Sequence, residues 1–149
     1  MTDDQGRSSA RGDERRMYSL QEANAALQVV RPLLEDLAEC KRGLDVVHGS
    51  LLRLTPAQCE NGHRLNAIGL EHQMERLVDR LAEGIREIEV MGIELKDIDA
   101  GLIDFPALFQ GRVIYLCWRL GEDSIGYWHE MSTGFAGRRP ISEFTGNSA

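Results

Sequence analysis

The residues best suited to chemistry lie in the last third of the chain, where acidic side chains and one histidine surround short hydrophobic runs. Carboxylate oxygens and an imidazole nitrogen are ligands for zinc, manganese and iron, and three of them with one open position would activate a bound water. The spacing matches no named metal motif. The residue types predict a divalent transition-metal site drawn from Asp97, Asp99, Asp104 and His129, with Glu94 and Glu130 close by.

The same side chains also have an ordinary structural interpretation. His129 and Glu130 point to opposite faces of a strand, so both reach one metal ion only if a bulge intervenes. Glu130 would otherwise pair with Arg119 or Tyr115, and His129 would be a hydrogen-bonded core residue. The acidic residues would then lie in solvent at turns. The residues alone leave both interpretations open.

A second candidate metal site lies at the tip of a predicted helical hairpin. A tight turn near Thr55 and Pro56 would bring His48 opposite His63. Two imidazoles, with a cysteine or a glutamate one turn away, would hold zinc or a haem-like ligand. The pair lacks a diagnostic motif, and polar residues near a helix tip are more often simply solvated.

A recognition surface is the third hypothesis. Arginines and glycines near the C-terminus, including Arg112 and Arg139, would form an anion pocket, or else the arginines pair with the many local carboxylates. Aromatic, acidic and basic side chains are concentrated on the same stretch. The predicted ligand-binding residues are Arg119, Trp128, His129, Glu130 and Arg138.

Residues 17–92 predict two long helices that would position these groups. Ser19 followed by Glu22 has the spacing of a capping box, and apolar residues then recur at intervals of three and four for about ten turns. Pro32 should kink or break this helix, because it removes a backbone hydrogen bond. A second helix is expected over 55–91, and the short connection makes the pair antiparallel.

Residues 93–141 change to the alternating pattern of strands. Ile93 to Lys96 is typical of an edge strand, and the runs GRVIYLCWRLGE and SIGYWHEM are the clearest strands. Residues 104–106, Asp-Phe-Pro, should interrupt regular structure. A turn at 122–123 would pair Leu116 with His129 on the face toward the helices, and would leave Cys117 and Trp128 on the opposite face.

The fold class is therefore α+β, a long antiparallel helical hairpin packed with a small C-terminal antiparallel sheet. We expect one domain over 17–141, with a helical part 17–92, a β-rich cap 93–141, a disordered tail 1–16 and a flexible tail 142–149. A sheet of about forty residues cannot cover helices on the order of 50 Å long. The uncovered seam, including Leu34 and Leu37, predicts a homo-oligomer, a dimer with four antiparallel helices.

Composition and charge exclude several classes of protein. The net charge is −7, and the only lysines are Lys41 and Lys96, which argues against a nucleic-acid partner. No apolar run approaches the roughly 18 residues of a membrane span. Three cysteines in unrelated contexts, Cys40, Cys59 and Cys117, fit reduced thiols, with Cys117 a buried and inert one. We expect a cytoplasmic protein without nucleic-acid or membrane partners.

Long motifs in both parts of the chain resemble a bacterial family of uncharacterised proteins, DUF2203. The motifs are GLIDFPALFQGRVIYLCWRLGE, IGYWHE and GFAGRRP near the C-terminus, and YSLQEANAAL and VVRPLLEDL in the helical part. The likeness covers residues 17 to 141. The family has no established reaction, so the resemblance implies no activity. The shared motif falls on Asp104, Phe105, Pro106, Cys117, Trp118, Arg119, Leu120, Gly121, Glu122, Trp128, His129, Glu130, Gly134 and Arg138.

Two functions follow from the sequence, and one observation separates them. The leading hypothesis is a cytoplasmic binding or assembly module that recognises a partner protein or small ligand through the Trp, His, Glu and Arg surface. The alternative is a metal-binding protein or metal-dependent enzyme. A metal site requires at least three side-chain donors that converge, whereas a binding module requires exposed aromatic surface without convergence.

Overall fold

A computed structural model describes residues 16–54 and 64–144, and within them two long helices precede a five-stranded antiparallel sheet. This arrangement confirms the predicted α+β fold. Neither helix is long and apolar enough to cross a membrane. The elements are α1 (Leu20–Arg53), α2 (Arg64–Val90), β1 (Glu94–Asp97), β2 (Leu102–Phe109), β3 (Arg112–Arg119), β4 (Tyr127–Glu130) and β5 (Arg139–Pro140), with 3-10 turns at Phe135–Gly137 and Ile141–Glu143.

Helix α1 begins at the predicted capping box. The Ser19 hydroxyl accepts a hydrogen bond from the Glu22 amide, and the Glu22 carboxylate accepts one from the Ser19 amide, both at 3.0 Å. The helix then continues through Pro32 to Arg53. Of the kink or break predicted at Pro32, the break does not occur, because the packing of the helix on both sides of the proline outweighs one lost hydrogen bond.

The two helices are antiparallel, as contacts between them show. Gly84 lies so close to Leu37 that an added Cβ would be 2.6 Å from the leucine Cδ2 atom. Further along α1, Gly43 faces Leu77, which comes earlier in α2. Residue numbers therefore increase along one helix while they decrease along the other, as in an antiparallel pair. The segment that joins the helices lies outside the described residues.

One hydrophobic core joins the helices to one face of the sheet. Leu34 and Leu37 on α1 and Ile88 on α2 contribute to it and are almost completely buried. Alternate residues of the strands point toward the same core. From the sheet the core takes Ile103, Phe105, Ala107, Phe109, Ile114, Leu116, Trp118 and Trp128. Leu34 and Leu37 are thus covered by their own chain, and the uncovered seam predicted there is not present.

The sheet has the order β1-β2-β3-β4-β5, so each strand pairs with its neighbour in sequence. Strands β2 and β3 are joined at Gln110 and Gly111, which both have positive φ, 53° and 78°. A two-residue hairpin turn with positive φ at both positions matches the twist of the strands. Strand β1 carries a bulge between Leu95 and Asp97.

Strand β2 runs straight through residues 104–106, where an interruption was predicted. Pro106 lies opposite Tyr115 in β3 and is past the last residue that pairs with β1. The Pro106 carbonyl accepts a hydrogen bond of 2.7 Å from the Tyr18 amide. Because the nitrogen and carbonyl of one strand residue point to the same side, the proline nitrogen faces an edge where the sheet needs no donor.

The pairing of β3 with β4 differs from the predicted register by one residue. Leu116 lies opposite Trp128, and Tyr115 lies opposite His129. This shift exchanges the faces of β4, because side chains alternate along a strand. Trp128 therefore points to the helices, and His129 points away from them.

The packed part of the chain extends slightly beyond the predicted domain boundary at residue 141. Phe144 is 6% exposed and stacks on Phe109, with ring centroids 5.2 Å apart. Phe144 thus covers the core at the end of the β2–β3 hairpin. Of the predicted tails 1–16 and 142–149, residues 1–15 and 145–149 lie outside the described residues.

Candidate functional site

The candidate site lies on the outer face of the sheet, the face turned away from the helices. Here the outer face means Asp104 of β2, Tyr115 and Cys117 of β3, and His129 of β4. Asp104 pairs directly with Cys117, and Tyr115 pairs directly with His129. Residues opposite each other in an antiparallel ladder share a face, so three strands place these four side chains together.

Three of these side chains form a compact cluster of metal-ligand types. A carboxylate oxygen of Asp104, the Cys117 sulfur and a ring nitrogen of His129 all lie within 4.8 Å of one another. Asp104 and His129 are each 2% exposed, and Cys117 is 0% exposed. Cys117 is a free thiol. Polar groups this deeply buried require partners inside the protein.

Hydrogen bonds fix the orientation of the His129 ring. Its Nδ1 atom lies 2.7 Å from the Glu130 carbonyl oxygen, and its Nε2 atom lies 3.0 Å from Oδ2 of Asp104. A carbonyl oxygen only accepts, so Nδ1 donates to it. Nε2 is then the nitrogen directed into the cluster. The other Asp104 oxygen, Oδ1, is buried and has no hydrogen-bond partner among the described residues.

The cluster favours a protonated imidazole when no metal is bound. Burial lowers the pKa of His129, but hydrogen bonds with Asp104, Cys117 and the Glu130 carbonyl, and the negative charge of Asp104, raise it more strongly. The net result is a pKa raised from 6.5 to about 10. His129 and Asp104 thus form a buried ion pair at neutral pH.

This donor set suits zinc. Zinc accepts thiolate sulfur, imidazole nitrogen and carboxylate oxygen, and bond lengths of about 2.0 to 2.3 Å in a tetrahedron place ligand atoms about 3.5 Å apart. An imidazole that binds metal through one nitrogen usually donates its other N–H to a carbonyl or carboxylate. The bond from His129 Nδ1 to the Glu130 carbonyl oxygen has this form.

The same three residue types also occur in cysteine nucleophile triads, but the geometry here differs. A triad needs one ring nitrogen to take the thiol proton and the other to be oriented by the carboxylate. In this cluster Nε2 faces Asp104 and Nδ1 bonds the Glu130 carbonyl. Neither ring nitrogen is therefore free to take the thiol proton while the other is oriented by the carboxylate. The Cys117 side chain is also buried and does not reach solvent.

Side chains from both edges of the sheet lie over the outer face. Lys96, at the bulge of β1, has its ammonium 5.6 Å from the centre of the Tyr115 ring and pairs with Glu94 at 2.9 Å. Arg138 donates to the Cys117 carbonyl at 3.5 Å and lies over the Tyr127 ring. Bulges often re-aim a side chain beside a functional site, which fits the position of Lys96.

Only part of the predicted metal set meets at this site. Asp104 and His129 are brought together, whereas Asp97 ends strand β1, Asp99 lies in the β1–β2 turn, and both are exposed. The Asp97 carboxylate accepts a hydrogen bond from the Ala100 amide at 3.1 Å, and Asp99 lies 3.8 Å from the Lys41 ammonium. Both therefore have the turn and solvent roles that the structural interpretation gave them.

The second predicted metal pair remains a prediction. His48 is exposed on α1, and His63 lies outside the described residues. The described part of the hairpin has Gly43 beside Leu77. That pairing, continued along both helices, places His48 opposite the residues near position 72 of α2.

The predicted recognition residues are dispersed. Trp128 is 1% exposed on the helix face, and Arg119 is exposed at the end of β3. Glu130 receives two hydrogen bonds from Arg112, at 2.6 and 3.1 Å. Arg138 bonds the Glu122 carboxylate at 2.7 Å. Arg112 and Arg138 thus pair with local carboxylates, as the alternative to an anion pocket predicted.

Cys117 is the member of the cluster that the sequence interpretation missed as a ligand. Its burial is confirmed, but its neighbours are a carboxylate and an imidazole. The information that the sequence did not provide was the register of the strands, that is, which residues lie opposite each other. With β2 interrupted and β4 shifted by one residue, neither Asp104 nor His129 could be placed beside Cys117.

Comparison with known proteins gives a family and no further relatives. A family model described as an uncharacterised conserved protein, DUF2203, matches residues 16–141. That span includes both helices, the whole sheet and all three cluster residues. No curated protein and no solved structure matches the chain.

Proposed function

The chain belongs to DUF2203, a family of uncharacterised conserved proteins, and we propose that it is a metal-binding protein. Asp104, Cys117 and His129 would hold one divalent transition metal ion, and zinc fits these ligands best. The observation that carries the proposal is the convergence of three buried donors within 4.8 Å.

The charges of the site support this assignment. A thiolate and a carboxylate together offset the two positive charges of a divalent ion, and a neutral imidazole adds none. Without the ion, Asp104 and a protonated His129 must be buried together, with one Asp104 oxygen lacking a hydrogen bond. A buried ion pair gains little net stability, because desolvation offsets the attraction. A bound cation would use the donors that this arrangement leaves incompletely satisfied.

The combination of soft and hard ligands in one site also narrows the choice of metal. Thiolate sulfur favours zinc over magnesium, calcium or manganese, which prefer oxygen ligands. Three protein ligands leave one tetrahedral position for a water or another side chain. Because the three donors are almost completely buried, we propose metal binding as the function and assign no reaction.

The recognition module is less well supported. A surface built on Trp128 and His129 needs those side chains in solvent, but they are 1% and 2% exposed. A cytoplasmic location remains part of the proposal, because a reducing compartment would keep Cys117 as a free thiol able to bind metal.

The test compares two buried cysteines in the same chain. Purified protein is loaded with zinc, dialysed and analysed for metal by mass spectrometry. We expect about one zinc per parent chain. Cys117→Ser should lose most of it, because a hydroxyl replaces the thiolate, and His129→Ala should lose it as well. Cys40→Ser is the matched control, since Cys40 is buried in α1 among core residues and should leave zinc binding unchanged.

A second measurement separates binding at the site from adventitious binding. Cobalt in place of zinc should give a thiolate-to-cobalt absorption band in the parent and in Cys40→Ser, but none in Cys117→Ser. A parent protein that stays free of metal after loading would overturn the proposal. Equal zinc in the Cys117→Ser variant would also overturn it.

A further inference from the structure

The helical hairpin has a distal half whose apolar residues are poorly covered. The distal half is residues 41–54 of α1 and 65–80 of α2. Beyond Cys40, Val47 is the only buried residue of α1, and no residue from 65 to 80 is buried. The core shared with the sheet reaches no further than Leu44 and Leu77. Within the described residues, the shared core therefore leaves most of the distal half uncovered.

An apolar groove with an acidic rim runs along one side of the distal half. Leu51, Leu54, Ala67 and Met74 line it together with Glu71 and Glu75, and its volume is about 450 Å³. A second groove, which shares Met74 and Glu75 with the first, is lined by Val78 and Asp79. The rim residues Glu71, Glu75 and Asp79 are all exposed. The groove therefore suits an apolar helix face that carries positive charge.

The back of α1 presents such a face. Arg42, Val46, Gly49 and Arg53 recur at i, i+4, i+7 and i+11, which places them on one side of the helix. Val46 is 70% exposed between the two arginines. The Arg53 guanidinium lies 3.9 Å from the position of an added Cβ on Gly49, so it lies along the same stripe. Gly49, without a side chain, lets another helix approach closely.

We infer that the distal half is the interface between two copies of this chain. The basic stripe of each copy lies in the acidic groove of the other, and a two-fold axis repeats the contact. Every chain carries both surfaces, as an isologous interface requires. The four distal helices then cover one another as in an antiparallel four-helix arrangement. This inference does not depend on the metal site.

Reversing the charges tests the pairing directly. Sedimentation velocity of the parent should give twice the mass of one chain. Arg42→Glu with Arg53→Glu places acidic residues against the acidic rim, so this variant alone should be monomeric. Glu71→Arg with Glu75→Arg places basic residues against the basic stripe and should also be monomeric. An equimolar mixture of the two variants should recover the dimer, because both reciprocal contacts become attractive.

Controls separate this interface from general charge effects. Glu83→Arg with Glu87→Arg makes the same change at exposed positions in the proximal part of α2, and should remain dimeric. Circular dichroism should show unchanged helix content in all variants, since the changed residues are on the surface. A parent that is monomeric up to its solubility limit overturns the inference. Variants that stay dimeric, or a mixture that stays monomeric, overturn it as well.

Discussion

The face of the sheet that packs on the helices is apolar, with Phe105, Leu116 and Trp118 fully buried, whereas the outer face buries Asp104, Cys117 and His129. Both sets of side chains are closed to solvent, yet they consist of different chemistry. Burying an apolar side chain stabilises the fold by about 1.5 to 3 kcal/mol. Burying a charged group costs free energy unless it is paired and hydrogen-bonded. Burial of the helix face accounts for the stability of the fold, whereas the buried polar groups of the outer face are the basis of the proposed metal site.

The contrast between the two faces is clearest within β2, where successive side chains point to alternate faces of the sheet. Phe105 packs against the Tyr18 ring at a centroid distance of 5.1 Å, and the preceding Asp104 bonds His129. One backbone segment therefore serves the core and the candidate site at once. Variants on each face should change different properties of the protein.

The largest expected effect is on the helix face. Phe105→Ala should lower the free energy of unfolding by roughly 3–5 kcal/mol, because it removes a buried ring and leaves a cavity. Urea denaturation followed by circular dichroism measures this change. Leu108→Ala, also in β2 but 53% exposed, should change stability by only about 0.5 kcal/mol or less. Equal losses in the two variants would show that the helix face does not dominate stability.

A smaller effect, dependent on pH, is expected on the outer face. In the metal-free protein the pKa of His129 is about 10 when folded, against 6.5 unfolded. Protonation of His129 thus stabilises the folded state relative to the neutral imidazole. This contribution is fully present below pH 6.5 and is lost as pH rises through 10. Chemical denaturation from pH 6 to 10, with a chelator present, should show this loss in the parent. Subtracting the profile of His129→Asn isolates it from other titrations, and parallel profiles would contradict the assignment.

The smallest effect is expected at the end of the sheet, away from both buried sets. Arg112 and Glu130 are bonded through two nitrogens and two oxygens but are 43% and 33% exposed. Glu130→Gln should therefore cost less than about 1 kcal/mol, and salt should reduce the difference further. Denaturation at low and high salt measures it. A cost that is large and insensitive to salt would mean that this pair, too, is a buried determinant of the fold.

The sequence predicted the structure best where a local pattern of residues determines it. The capping box at Ser19 and Glu22 and the apolar stripe through Leu34 and Leu37 predict a helix that does form. These signals are local, since each depends on residues within a few turns. The change to alternation after Ile93 predicts the sheet for the same reason.

The candidate site could be predicted only in part, because register depends on distant residues. The β3–β4 loop is held by α1: the Ile125 amide donates to Asn24, and Arg31 donates to the carbonyls of Glu122 and Asp123. No pattern within the strands reveals these contacts. Asp104 and His129 were identified by residue type, whereas Cys117 needed the register that α1 imposes.

The two edges of the sheet both carry features that hinder the addition of another strand. An open edge strand is a template for another strand, and proteins protect such edges with bulges, short strands, lysine and proline. Here β1 has a bulge and Lys96, and β5 is only Arg139–Pro140. The Tyr18 amide covers β2 where β1 ends. These features protect both edges against the addition of another strand, so the dimer that we infer would use the helices rather than a sheet edge.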